Sequence, residues 1–167
     1  MTKIYKTAVI FCSIIIIVVA VLVCYRSLAK DKQGLSGKDV ADAKKTVQGF
    51  IDAHNSADLD KCIYYTVVPI QGVYNNPSVP EEKIFAYSYD IDNLIYDPDS
   101  VLYSAGSQLF TQHGIPSGDG IFLYTDFTPS LKDGRENGSW NSDEVYGSFG
   151  FWLIKDDREW KIMDYGM

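Results

Sequence analysis

Between Lys6 and Arg26 lie 19 residues without a charged side chain, and residues 14–23 read Ile-Ile-Ile-Ile-Val-Val-Ala-Val-Leu-Val with no polar group. As a helix, a run of that length rises roughly 28 Å, close to the hydrocarbon thickness of a bilayer. Ile and Val are mediocre helix formers in water. In lipid, however, every amide must be paired within its own segment, and helix is the state that achieves this. Tyr5 and Tyr25 stand at the two ends, where interfacial aromatics belong. The reading is a cytoplasmic head over residues 1–6, a transmembrane helix or signal anchor over residues 7–25 and a linker over residues 26–37. Ser27-Leu28-Ala29 has the small residues that a signal peptidase prefers, but the apolar stretch outruns a signal-peptide core of roughly 7–15 residues, which favours an uncleaved anchor. Neither Cys12 nor Cys24 follows the small residue that marks a lipid-attachment cysteine. Lys3 and Lys6 compete with Arg26, Lys30 and Lys32 over orientation, and the short head points to N-inside with the rest exported. The expected address is therefore the cell membrane, single-pass, with the C-terminal domain outside the cytoplasm.

The exported part is acidic. Every Asp and Glu lies at or after Asp31, so residues 30–167 carry 12 basic and 22 acidic side chains, a balance of −10. Phosphate binding depends on clustered Lys and Arg, so nucleic acid is not an expected partner. The lipid bilayer is an expected partner through the N-terminal helix, and a protein, a second copy of the chain included, is the other. Cys62 is the one cysteine beyond the anchor. It can form no disulfide within the exported part and has no second thiol with which to hold zinc, so it reads as a small buried hydrophobe.

Residues 38–167 read as one α+β domain. Ser36 followed by Asp39 is a helix start, and Val40, Ala43, Val47, Phe50, Ile51 and His54 recur at helical spacing. His54 is expected to be a capping or half-buried residue. Asn55-Ser56 breaks the pattern, and Ser56 or Asp58 can cap a shorter helix through Leu59, Cys62, Ile63 and Tyr64. From Val67 onward the vocabulary is that of strands and turns. One extended segment is expected over residues 84–96, with Asp90-Ile91-Asp92-Asn93 as a bulge or turn. Residues 101–113 are ambiguous, because Leu102, Ala105 and Leu109 permit a helix that Gly106 weakens. Strands are expected over residues 121–127, 144–154 and 158–164, joined sequentially as an antiparallel meander. The charged loop over residues 132–139 hints at an interaction surface.

A long helix, a short helix after Asn55-Ser56-Ala57-Asp58, and the closing Phe151-Trp152-Leu153-Ile154-Lys155-Asp156-Asp157-Arg158-Glu159-Trp160-Lys161-Ile162 resemble the nuclear transport factor 2-like superfamily. The ending Trp160-Lys161-Ile162-Met163-Asp164-Tyr165-Gly166 looks like uncharacterised membrane-anchored extracytoplasmic domains of Gram-positive bacteria. The resemblance implies a cone-shaped domain in which two or three helices pack on a curved antiparallel sheet. Tryptophans 152 and 160 would pin the register of the last hairpin if both faced one side.

Enzymes of the superfamily set an Asp or His base beside a Tyr donor within the cone, and Tyr87, Tyr89, Tyr124, Asp90, Asp126 and His113 supply those types here. No enzyme motif of the superfamily maps onto this sequence residue by residue, so no catalytic residue is assigned. The residues expected to line a pocket are Tyr87, Tyr89, Tyr124, Asp126 and Trp152. Metal-protease, nucleophile-elbow and phosphate-loop motifs are missing from the sequence. The pairs Asp90/Asp92 and Asp97/Asp99 lack the glycine and the terminal Glu of a calcium loop, so neither metal nor cofactor is expected. The functional expectation is a membrane-anchored, non-catalytic binding or assembly module, in one variant a scaffold subunit of a cell-envelope or secretion complex. A small-molecule-binding pocket protein is the alternative, with an isomerase- or dehydratase-like enzyme behind it.

Overall fold

The computed structural model describes residues 35–132 and 140–166. The expected membrane segment and nearly all of the loop at 132–139 lie outside the described residues. Among the described residues no helix is long and apolar enough to cross a membrane.

Helix α1 (Gly37–Asn55) begins at the Ser36 and Asp39 pair, which forms a reciprocal cap. The Asp39 N–H donates to Ser36 Oγ at 3.1 Å, and the Ser36 N–H donates to Asp39 Oδ2 at 3.1 Å. Its buried stripe runs through Ala43, Val47, Phe50, Ile51 and His54. Ala57 takes a left-handed φ of 56° that reverses the chain, and Asp58 then caps α2 (Leu59–Tyr65) by accepting the Lys61 N–H at 3.1 Å.

Two further short helices stand where strands and turns were expected: α3 (Val68–Tyr74) and α4 (Glu81–Ile84). Proline explains both. Pro69 lies in the first turn of α3 and Pro80 caps α4, positions where a fixed φ starts a helix and the missing N–H costs nothing. Tertiary burial of Tyr74 holds α3 against its Val-rich composition.

The sheet is four-stranded, antiparallel and curled, in the order β1 (Tyr87–Ile91), β2 (Gly120–Leu131), β3 (Tyr146–Asp156), β4 (Glu159–Gly166). The α+β class and the closing meander are therefore as read from the sequence. The extended segment expected over 84–96 is interrupted: β1 ends at Ile91, and Ile95 rejoins β2 through paired backbone bonds with Tyr124 of 2.8 and 3.2 Å. Register shifts at Thr125/Phe127 and at Trp152/Leu153 mark irregularities that help the sheet to bend.

The inner face of the sheet carries Ile121, Leu123, Phe127, Phe149, Phe151, Leu153, Trp160 and Ile162, packed on Val47, Phe50 and Ile51 of α1. The outer face is partly covered by α5 (Val101–Gln112), which resolves the ambiguity over residues 101–113. Gly106 is unfavourable in an isolated helix but is needed in this one. A β-carbon there would lie 2.6 Å from the Phe122 ring, and its carbonyl accepts the Trp152 indole N–H at 2.7 Å. Trp152 therefore faces outward while Trp160 faces the core, and the two do not pair across the hairpin.

Both edges of the sheet are engaged. Beside β4, the Val67 N–H donates to the Ile162 carbonyl at 3.0 Å. Beside β1, the Asn55 side chain imitates a neighbouring strand: its amide donates to the Tyr89 carbonyl at 2.8 Å, and its oxygen accepts the Tyr89 N–H at 2.7 Å. Asn55→Ala leaves both backbone groups unpaired, so a stability loss of about 1–3 kcal/mol is expected by urea denaturation, against a negligible loss for the exposed Asn93→Ala.

Candidate functional site

The five residues expected to line one pocket are divided between the two faces of the sheet. Tyr87 and Tyr89 are on β1 and point inward. The Tyr87 hydroxyl donates to the Trp140 carbonyl at 2.9 Å, and the Tyr89 ring stacks on His54 at a centroid distance of 4.3 Å. Tyr124 and Trp152 are on the outer face in contact with Phe122, and Asp126 is exposed on β2. Asp90 and His113 are also exposed.

Aromatic side chains largely fill the space beneath the inner face. What remains is a cavity of about 80 Å³ lined by Phe50, Ile51, Tyr89, Phe127, Trp140, Phe149, Phe151, Tyr165 and Gly166. Pockets that take drug-sized ligands run to roughly 300–1,000 Å³. No carboxylate lines this one. His54 lies nearby and is buried rather than capping or half-buried, at 3% exposed. Desolvation, reinforced by the Lys132 cation, holds its imidazole down at about pKa 4, while a bond to the Ile84 backbone opposes the shift. Its Nδ1 has no hydrogen-bond partner. A base–donor pair requires a Tyr hydroxyl within reach of that nitrogen, whereas Tyr89 presents the face of its ring, tilted by 26°. The Tyr89 and Tyr165 phenols are pushed above their ordinary range, in both cases chiefly by burial. Cys62 is fully buried and its thiol is pushed up to about 12 by desolvation, so it packs as a hydrophobe.

The larger concavity is on the outside, where the start of α1, the end of α2 and the β3–β4 hairpin meet. It is an open groove of about 620 Å³ lined by Lys38, Asp39, Asp42, Lys45, Thr46, Tyr64, Tyr65, Lys155, Arg158, Glu159 and Trp160. Lys155 Nζ pairs with Asp39 at 2.9 Å and lies 5.0 Å from the centre of the Trp160 ring. Hydrogen bonds from Ser36 and Lys155 hold the Asp39 carboxyl at about pKa 2. Glu159 accepts from Lys161 at 3.0 Å and from the Tyr64 hydroxyl at 2.9 Å, and its carboxyl is likewise lowered. Lys161 Nζ also sits 3.5 Å from the centre of the Tyr64 ring, which is 53% exposed. Asp42 is within 3.8 Å of Lys45. Each acid of the groove thus has a cation. Among the described residues, Lys38 and Arg158 have no side-chain partner.

Arg158 forms the rim. It and Asp157 are the two loop residues of the hairpin, with φ of 74° and 48°. Two successive left-handed residues suit Asn-Gly, and a side chain other than Gly, Asn or Asp at such a position costs about 1–2 kcal/mol. That signal was available in the sequence, as a tight hairpin turn containing neither Gly nor Asn. The groove itself was not, because its walls are joined only by tertiary contacts.

These features define a class: a small α+β domain with a filled sheet interior and a charged, aromatic-flanked groove on its surface. No protein-family model matches the chain, and no curated protein matches it.

Proposed function

We propose that residues 38–167 form a non-catalytic protein-contact module of the cone-shaped type, held outside the cytoplasm by a single N-terminal membrane anchor. Its contact surface is the groove between α1, α2 and the β3–β4 hairpin. The observation that carries this reading is the distribution of space, about 80 Å³ inside the sheet against about 620 Å³ at the surface groove. The groove also gathers Tyr64, Tyr65 and Arg158, residue types that dominate binding energy at protein interfaces. With both sheet edges engaged, recognition proceeds through side chains rather than by strand addition. Service as a scaffold subunit of an envelope or secretion complex is the variant that adds self-association to this role. The alternative, a small molecule held within the sheet, would have only the 80 Å³ cavity, room for little more than a few waters or a very small apolar molecule.

Two measurements test the proposal. For the address, the full chain is expected to resist alkaline extraction from membranes and to lose its C-terminal domain to protease added outside intact cells. A chain released by alkali, or one shielded from the protease, contradicts the anchor or its orientation. For the contact, Tyr64→benzoylphenylalanine is expected to give a higher-mass polypeptide adduct on irradiation of intact membranes, and a pattern of monomer alone contradicts it.

A further inference from the structure

We infer that the groove docks an acidic, extended protein segment, with Arg158 and Lys38 holding its carboxylates and Tyr64 receiving a neighbouring apolar or aromatic side chain. The inference rests on the contact-module reading above and specifies its partner. It starts from charge. Residues 35–167 carry 10 basic and 21 acidic side chains, a balance of −11, whereas the groove is lined by Lys38, Lys45, Lys155 and Arg158 against Asp39, Asp42 and Glu159, one more cation than anions. The acids of the groove are already committed to Lys155, Lys161, Lys45 and the Tyr64 hydroxyl, and an incoming carboxylate meets Lys38 and Arg158 with their hydrogen-bonding capacity unspent. Arg158 adds the planar fork that binds a carboxylate through two parallel bonds.

The second observation is backbone geometry. Arg158 holds a φ of 74°, where glycine would sit without strain, and its side chain lines the groove at the hairpin turn. Strain of this kind concentrates at binding sites. The third is the aromatic wall. Tyr64 is held by Glu159 and Lys161 yet remains half exposed, so its ring is fixed in place before a partner arrives. An anionic lipid surface offers the same charge, but a broad negative plane would face the whole acidic domain. A narrow segment enters within the screening length of about 8 Å and meets mainly the groove.

The test measures anisotropy of a fluorescein-labelled Glu-Tyr-Glu-Leu repeat peptide with the full chain in detergent. A Lys-Tyr-Lys-Leu repeat and phosphatidylglycerol vesicles serve as comparisons. The Glu peptide is expected to bind, to weaken as salt rises, and to lose affinity about tenfold with Arg158→Gly and again with Lys38→Glu. Arg158→Gly is also expected to raise Tm by about 4 °C, so its lost binding is not lost folding. Equal binding of the Lys peptide, indifference to both substitutions, or capture of the vesicles in preference to the peptide overturns the inference. Adducts from position 64 without Glu-peptide binding overturn the acidic partner and leave the contact module standing, whereas loss of those adducts removes both.

Discussion

Phe50→Ala is expected to lower the unfolding free energy by about 3–5 kcal/mol, enough to unfold a domain of ordinary stability at moderate temperature. Phe50 is 1% exposed and touches Tyr74, Tyr165 and His54, with ring centroids 6.2, 5.4 and 6.3 Å away. It also lines the 80 Å³ cavity, so truncation enlarges an existing void rather than opening a new one, and rigid aromatic neighbours leave little room for collapse. The enlarged, apolar space should take benzene, as dry engineered cavities do. Urea denaturation of the wild type and the variant, with and without benzene, checks both statements. A loss below about 1 kcal/mol would show that the interior is loosely filled.

The second large effect is a loss of stability in mild acid. His54 is buried and neutral, with a folded pKa of about 4 against 6.5 for the free side chain. A depressed folded pKa means that the unfolded chain takes up its proton first. Stability is therefore complete above about pH 6.5, falls as pH drops toward 4, and is reduced by about 3 kcal/mol below it. Asp39 acts lower on the scale: its carboxyl sits at about 2 against 3.8, so its contribution is kept until pH falls below 3.8 and is lost through 2. The two windows barely overlap. A melting series from pH 7 to pH 4 should show a steep decline that His54→Phe removes, whatever that variant does to stability at pH 7. Persistence of the same slope in the variant would assign it to other groups.

Local signals in the sequence were legible wherever the determinant lies within a few residues. Ser36 with Asp39 marks the start of α1, Asp58 caps α2, and the charged turn before Trp160 predicts the final hairpin. Non-local determinants were not. A strand- and turn-like vocabulary hid α3 and α4: α3 depends on Pro69 in its first turn and on burial of Tyr74, and α4 on Pro80 at its start. Gly106 argued against a helix until Phe122, a residue of β2, was seen to need the space. Tyr124 and Trp152 were expected in one pocket with Tyr87 and Tyr89, but which face of the sheet looks inward depends on where α1 and α5 dock. The groove joins Asp39 to Lys155 and Tyr64 to Glu159, contacts between segments far apart in the chain that no periodicity encodes.

The central claim is that the groove, and neither the sheet interior nor its outer face, meets the partner. Paired photo-crosslinking in intact membranes tests it most directly, with benzoylphenylalanine in place of Tyr64 in one chain and of the outer-face residue Asp126 in another. The account predicts a discrete polypeptide adduct from position 64, reduced by Arg158→Gly, and none from position 126. An adduct from position 126 alone, or from neither, contradicts it.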